Sequence, residues 1–157
     1  MTHGRNEVHV TIRPIELGDI AVAVTIIREG SFAPETENID AADAYWAAVL
    51  ETRVRRGDVL VAELEGEVVG VVQVMIFPHF QHTGGWCCEL ETFYVREDLR
   101  SQGIGAQLLV AAESFARERG CYRVQLTSRN YRVDAHRFYQ THGYDQGSQG
   151  FKKLLEG

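Results

Sequence analysis

Two rhythms of apolar and polar positions run along this chain. Val8-His9-Val10-Thr11-Ile12-Arg13 alternates with period two and predicts a first strand. After the turn Pro14 to Asp19 the period lengthens to that of a helix running to about Arg28, with Asp19 as its N-cap. Glu29 to Asn38 reads as a loop. Asp40 is placed to cap a second helix with Ala44, Trp46, Ala47, Val49, Leu50 and Val54 as its apolar face, ending before Gly57. Strands are then predicted over Asp58 to Glu63 and Val68 to Phe77, joined at Glu65-Gly66-Glu67, a hairpin signal. Pro78 to Trp86 is a loop, and Leu90 to Val95 mixes aromatic and β-branched residues as a strand.

The helical rhythm returns in Ile104, Leu108, Leu109, Ala112, Phe115 and Ala116, which form one buried stripe ended by Gly120. Tyr122 to Thr127 alternates as a strand. Asp134 to His142 is helical, with Gly143 as its cap. Tyr144 to Asp145 and Phe151 to Leu155 are short strand candidates around a Gly/Ser turn. The order is β-α-α-β-β-β-α-β-α-β-β. With no repeat, low-complexity tract or linker, residues 1–157 are expected to form a single domain.

Composition narrows the classes of function. The chain has 157 residues, of which 45% are hydrophobic and 24% charged, ordinary values for a globular protein with a real core. No apolar run approaches the length of a membrane span, and the first residues lack the apolar core of a signal peptide, so a cytoplasmic protein without a membrane partner is expected. A net charge of −6 without a basic cluster argues against nucleic acid as a partner. Adjacent Cys87 and Cys88 point to opposite faces of a strand, which suits small apolar residues in a reducing compartment better than a disulfide. His79-x-x-His82 lies in a Pro/Gly loop without matching ligands, so no metal is expected.

Chemistry concentrates between Glu89 and Gly105. The strand ending at Val95 is followed by a charged turn and then by Arg100-Ser101-Gln102-Gly103-Ile104-Gly105-Ala106, which opens a helix. Such a turn presents unpaired backbone N–H groups where the helix dipole favours negative charge, and its glycines let a phosphate approach the main chain. A Walker loop would need Lys and Ser/Thr after the second glycine, where Ala106-Gln107 stands. A dinucleotide fingerprint would need a third glycine at Leu108. What remains is Arg-x-x-Gly-x-Gly after a strand rich in Glu and aromatics, which resembles motif A of the GCN5-related N-acetyltransferase (GNAT) family. Ala135-His136-Arg137-Phe138-Tyr139-Gln140-Thr141-His142-Gly143-Tyr144 resembles that family's motif B, and the element order resembles it from end to end. One departure is that Arg132 stands where many members have Asn; Asn130 is the nearby candidate to replace it.

The resemblance implies an α/β (α+β) GNAT fold, a mixed six- to seven-stranded central sheet flanked by about four helices. It also implies acetyl transfer from acetyl-CoA to a primary amine within a ternary complex, the acceptor being a small molecule or a protein lysine or N-terminus. By the same resemblance, Ser101, Gln102, Gly103, Ile104, Gly105 and Ala106 bind pyrophosphate through main-chain N–H groups and Arg100 adds charge. Main-chain groups of Phe93, Tyr94 and Val95 pair with pantetheine, and Asn130, Ala135, Phe138 and Tyr139 complete the cofactor side. Tyr139 supplies a proton or hydrogen bond to the departing thiolate. Attack needs a neutral amine and hence a base. Glu89 and Glu91 share one strand face; Glu91 is the first choice and Glu89 the reserve. The acceptor pocket is expected from Phe32, Glu35, Glu37, Trp46 and the Pro78–Trp86 loop. A non-catalytic acyl-CoA-binding sensor on the same fold is the alternative, and homodimerisation, common in such folds, is left open.

Overall fold

The structure is a computed structural model that describes residues 7–155. The chain falls into two compact units, one ending at Gln125 and one beginning at Leu126. The first carries β1 (Thr11–Pro14), α1 (Ile20–Gly30), α2 (Ala42–Val54), β2 (Asp58–Leu64), β3 (Glu67–Pro78), α3 (Gln81–Gly84), β4 (Trp86–Val95) and α4 (Ile104–Glu118), and then β5 (Cys121–Leu126), whose last residue opens the second unit. The second holds α5 (Val133–Thr141).

The strands form one five-stranded sheet in the order β1-β2-β3-β4-β5, antiparallel through β1 to β4. The β2–β3 hairpin turns on Glu65 and Gly66, both at positive φ (51° and 84°), as the two-residue turn signal requires. Among the described residues five strands stand where six to seven were expected. The shortfall lies in residues 144–155, which form no strand. Their centre, Gln146-Gly147-Ser148-Gln149-Gly150, has too little apolar area to offset the entropy of ordering a ladder. The four long helices appear as expected, and α3 adds a single turn inside the Pro78–Trp86 loop, with His82 and Thr83 in left-handed conformations.

The core of the first unit lies on the two faces of the sheet. Val61, Val71, Val72 and Val74 are buried in the central strands, Ile20, Ala23, Val24 and Ile26 come from α1, and Ile104, Leu108, Leu109, Ala112 and Ala116 from α4. Phe115, expected with this last group, is only half-buried and carries the Arg119 guanidinium 3.2 Å from its ring centre. Cys87 and Cys88 are both fully buried free thiols, because both faces of β4 are covered here. Burial pushes the Cys88 thiol up to about 12, so it remains protonated and apolar in character.

Two helix starts differ from their expected form. Asp19 does not cap α1 with its side chain; its carboxylate accepts from the Glu16 N–H at 2.8 Å and from Arg13 Nη1 at 2.7 Å. An arginine on β1 outcompetes the helix N–H groups for it. Asp40 does not cap α2, which starts after Ala41. The inward face of α2 is Ala42, Tyr45, Trp46, Val49 and Thr52, whereas Ala44, Ala47, Leu50 and Val54 are exposed. The helix is rotated so that its aromatic pair rests on the core.

Candidate active site

β4 carries the irregularity around which the site is built. Val71 pairs with Tyr94 and Gln73 with Glu91, so Val72 faces two residues, Thr92 and Phe93. This is a β-bulge, and Thr92 is left-handed with φ 51°. At its start β4 is flanked by β5. Gly85 lies against the Tyr122 ring at one end and Glu89 meets Gln125 at the other, so the two strands run in the same direction. Because β5 ends at Leu126, the bulge and Phe93, Tyr94 and Val95 run past its end. The second half of β4 therefore presents a main-chain edge that β5 does not cover.

Immediately beyond, Arg96 pairs with Asp98 and Glu67 and holds the turn Glu97–Leu99. Ser101 (φ 62°) and Gly103 (φ 85°) then fold the chain into the start of α4, with Gly103 as N-cap. The positive φ at Gly103 favours glycine, and a Cβ there would also come within 3.4 Å of Glu7 Cγ. The first helical bond runs from the Gln107 N–H to the Gly103 carbonyl at 3.2 Å. The N–H groups of Ile104, Gly105 and Ala106 thus have no partner within the helix. The Ile104 side chain is buried in the core, so this residue offers the site only its backbone. Arg100 donates from Nε to the Val95 carbonyl at 3.1 Å. The backbone of Gly30 lies close beneath it: a Cβ there would come within 2.6 Å of Tyr94 Cδ1 and 3.1 Å of Arg100 Nη2.

The two carboxylates of β4 differ in environment. Glu89 is half-buried and accepts from Gln125 Nε2. Burial is the main cause that raises its carboxyl above the usual range, and the charge of Glu91 adds to this; the Gln125 bond and Arg123 oppose it. Glu91 is exposed. Of the expected acceptor residues, Phe32 and Glu35 are exposed, while Glu37 is tied to α2 by the Tyr45 hydroxyl at 2.8 Å. Trp46 stacks with Arg53 and lines a separate cavity of about 600 Å³ with Arg13, Leu17 and Asp58. His79 and His82 pack against the Tyr122 ring, and the Tyr122 hydroxyl bonds to His79 Nδ1.

Tyr139, Asn130, Ala135 and Phe138 belong to the second unit. Asn130 is exposed in a turn closed by the Arg132 N–H to the Arg129 carbonyl at 3.0 Å. Ala135, Phe138 and Tyr139 are half-buried on α5, with the Phe138 ring edge-on to Tyr139. Burial raises the Tyr139 phenol above its usual value and the positive charge of Arg132 pulls it down. Ser128 Oγ, in the same unit, is buried with no hydrogen-bond partner among the described residues. The partners of Gln125 and Gln107 escaped the sequence reading, since they lie far along the chain, and Arg132, noted there only as a departure, bears by its charge on Tyr139.

The model of the GNAT acetyltransferase family matches residues 24–144. The aminoalkylphosphonate N-acetyltransferase of Salmonella typhimurium is 40% identical over 90 residues, which are 57% of this chain and 58% of that protein; the matched stretch thus spans little over half of that relative. A solved structure described as a transcriptional regulator from Bacillus halodurans is 32% identical, with a TM-score of 0.86 over 94% of this chain and 100% of that one. A solved structure described as a predicted acetyltransferase with acetyl-CoA from Clostridium acetobutylicum shares the fold at 16% identity, with a TM-score of 0.70 over 94% and 97% of the two chains.

Proposed function

Because the chain belongs to the GNAT acetyltransferase family, we propose that it transfers the acetyl group of acetyl-CoA directly to the primary amine of a small molecule. One observation carries this reading: the bulged half of β4, beyond the end of β5, runs straight into a helix start whose first N–H groups have no partner within the helix. The edge of Phe93, Tyr94 and Val95 suits an extended pantetheine amide chain added as a strand. The donors of Gln102 to Ala106 suit a pyrophosphate, and Arg100 adds positive charge beside them.

In the proposed reaction the amine nitrogen attacks the thioester carbonyl carbon, the C–S bond breaks, and the amine proton leaves to a carboxylate. Main-chain N–H at the bulge holds the developing oxyanion. Glu89 is favoured over Glu91 as base, because it is half-buried, held by Gln125 and raised above the usual carboxyl range by burial, whereas Glu91 is exposed. Tyr139 donates a hydrogen bond to the departing thiolate. Its raised phenol favours donation over complete proton transfer.

The relative that acts on aminoalkylphosphonates supports a small-molecule acceptor and sets the head of the amine panel. A second reading, an acyl-CoA-binding sensor, is favoured by the similarity to the regulator from Bacillus halodurans. Thiol release from acetyl-CoA, measured across aminoalkylphosphonates, aminoglycosides and peptide amines, separates the two. Turnover of any of these amines supports the enzyme. Tight acetyl-CoA binding with no turnover across the panel would overturn it in favour of the sensor.

A further inference from the structure

The residues leading into β1 lie across the turn that opens α4. The Val8 N–H donates to the Gln102 carbonyl at 3.1 Å. Gln107 Nε2 donates to the Val8 carbonyl at 2.7 Å and to the Gly103 carbonyl at 3.2 Å, while its Oε1 accepts from the Val10 N–H at 3.1 Å. One half-buried side chain thus ties a strap, Val8 to Val10, to the turn across more than ninety residues of sequence.

A trans peptide directs its C=O and N–H to opposite sides. With the Gln102 carbonyl held by Val8, the Gly103 N–H is turned the other way. With the Gly103 carbonyl held by Gln107, so is the Ile104 N–H. The hydrogen bonds of the α-helix fix only the peptides after Gly103; the Gln102–Gly103 peptide precedes them and takes no part in the helical ladder. The strap holds it.

We propose that Gln107, acting through the Val8–Val10 strap, is a positioning residue that sets the cradle's N–H groups toward the pyrophosphate of acetyl-CoA. The proposal rests on the reading of this turn as the pyrophosphate cradle. Gln107 contributes through the peptides it orients and contacts no substrate in this role.

The test compares acetyl-CoA with acetyl-pantetheine, a thioester donor without pyrophosphate or nucleotide, in wild type, Gln107→Leu and Val8→Pro. Val8→Pro removes the N–H that the Gln102 carbonyl accepts, so it probes the same strap without touching α4. In either variant the acetyl-CoA KM rises about tenfold or more, of the order of one lost orienting interaction. The kcat and the acetyl-pantetheine KM stay near wild type, and the double variant is no worse than the single ones, since both break one strap. An unchanged preference for acetyl-CoA in both folded variants overturns the proposal, as does an equal loss with both donors, which marks general damage. A wild type that does not prefer acetyl-CoA overturns the cradle reading itself, an outcome distinct from failure in the variants.

Discussion

Gln125 Nε2 donates a 2.5 Å hydrogen bond to Oε2 of Glu89, joining the penultimate residue of β5 to the half-buried carboxylate of β4. The bond stabilises the ionised form against the burial that disfavours it. Glu89 is therefore held in place and kept available for ionisation, the two properties a general base needs.

The pH dependence has a definite sign. If Glu89 is the base, kcat/KM rises as pH passes upward through its raised pKa. Glu89→Gln removes that acid limb and lowers the rate about 10²-fold or more. Gln125→Leu deletes a bond to the ionised form and moves the limb to higher pH. Glu91→Gln deletes a charge that raises the Glu89 pKa, so the limb moves to lower pH with the rate preserved. Profiles of kcat/KM against pH for the three variants check this; loss of the limb in Glu91→Gln instead would transfer the role to Glu91.

Tyr139→Phe deletes the hydroxyl and keeps the ring that packs against Phe138 and Tyr144. The expected result is a kcat lowered by about 10²-fold with little change in the acetyl-CoA KM. Steady-state kinetics with a good amine acceptor measure both. An unchanged kcat removes Tyr139 from the chemistry.

Gly30→Ala acts from outside on Tyr94 and Arg100, two residues of the proposed cofactor side. The new methyl group would stand 2.6 Å from Tyr94 Cδ1 and 3.1 Å from Arg100 Nη2. Both side chains must move, so the acetyl-CoA KM is expected to rise about tenfold while kcat changes little. Calorimetric titration with acetyl-CoA gives the same comparison without turnover, and an affinity equal to wild type would show that the Arg100 position is immaterial.

Asp19→Asn tests the β1–α1 junction. The Arg13 guanidinium beside Asp19 holds its carboxyl below the usual range, and the Glu16 N–H adds to the effect. Because the folded pKa lies below the unfolded value, this contribution is present above about pH 4 and is lost as pH falls through the folded pKa. Asp19→Asn is expected to cost about 1–3 kcal/mol at neutral pH. Thermal melts at neutral and strongly acidic pH measure it, and the difference from wild type narrows toward the acid end.

The sequence determined the parts whose causes are local. Hydrophobic period set the long helices and five of the seven expected strands, the hairpin turn was readable at Glu65-Gly66, and the Arg100-x-x-Gly103-x-Gly105 spacing located the helix start between β4 and α4. Tertiary structure decided what depends on partners far along the chain. It rotated α2 so that Tyr45 joins the expected Trp46 on the inward face and Leu50 and Val54 turn outward, because burying two aromatic rings outweighs burying two aliphatic side chains. It turned Asp19 from a helix cap into the partner of Arg13. It also left Glu89 half-buried and Glu91 exposed, although strand alternation had made them equivalent. A period places side chains on a face, but what covers each position of that face, and so its pKa, is set only when a distant strand such as β5 arrives.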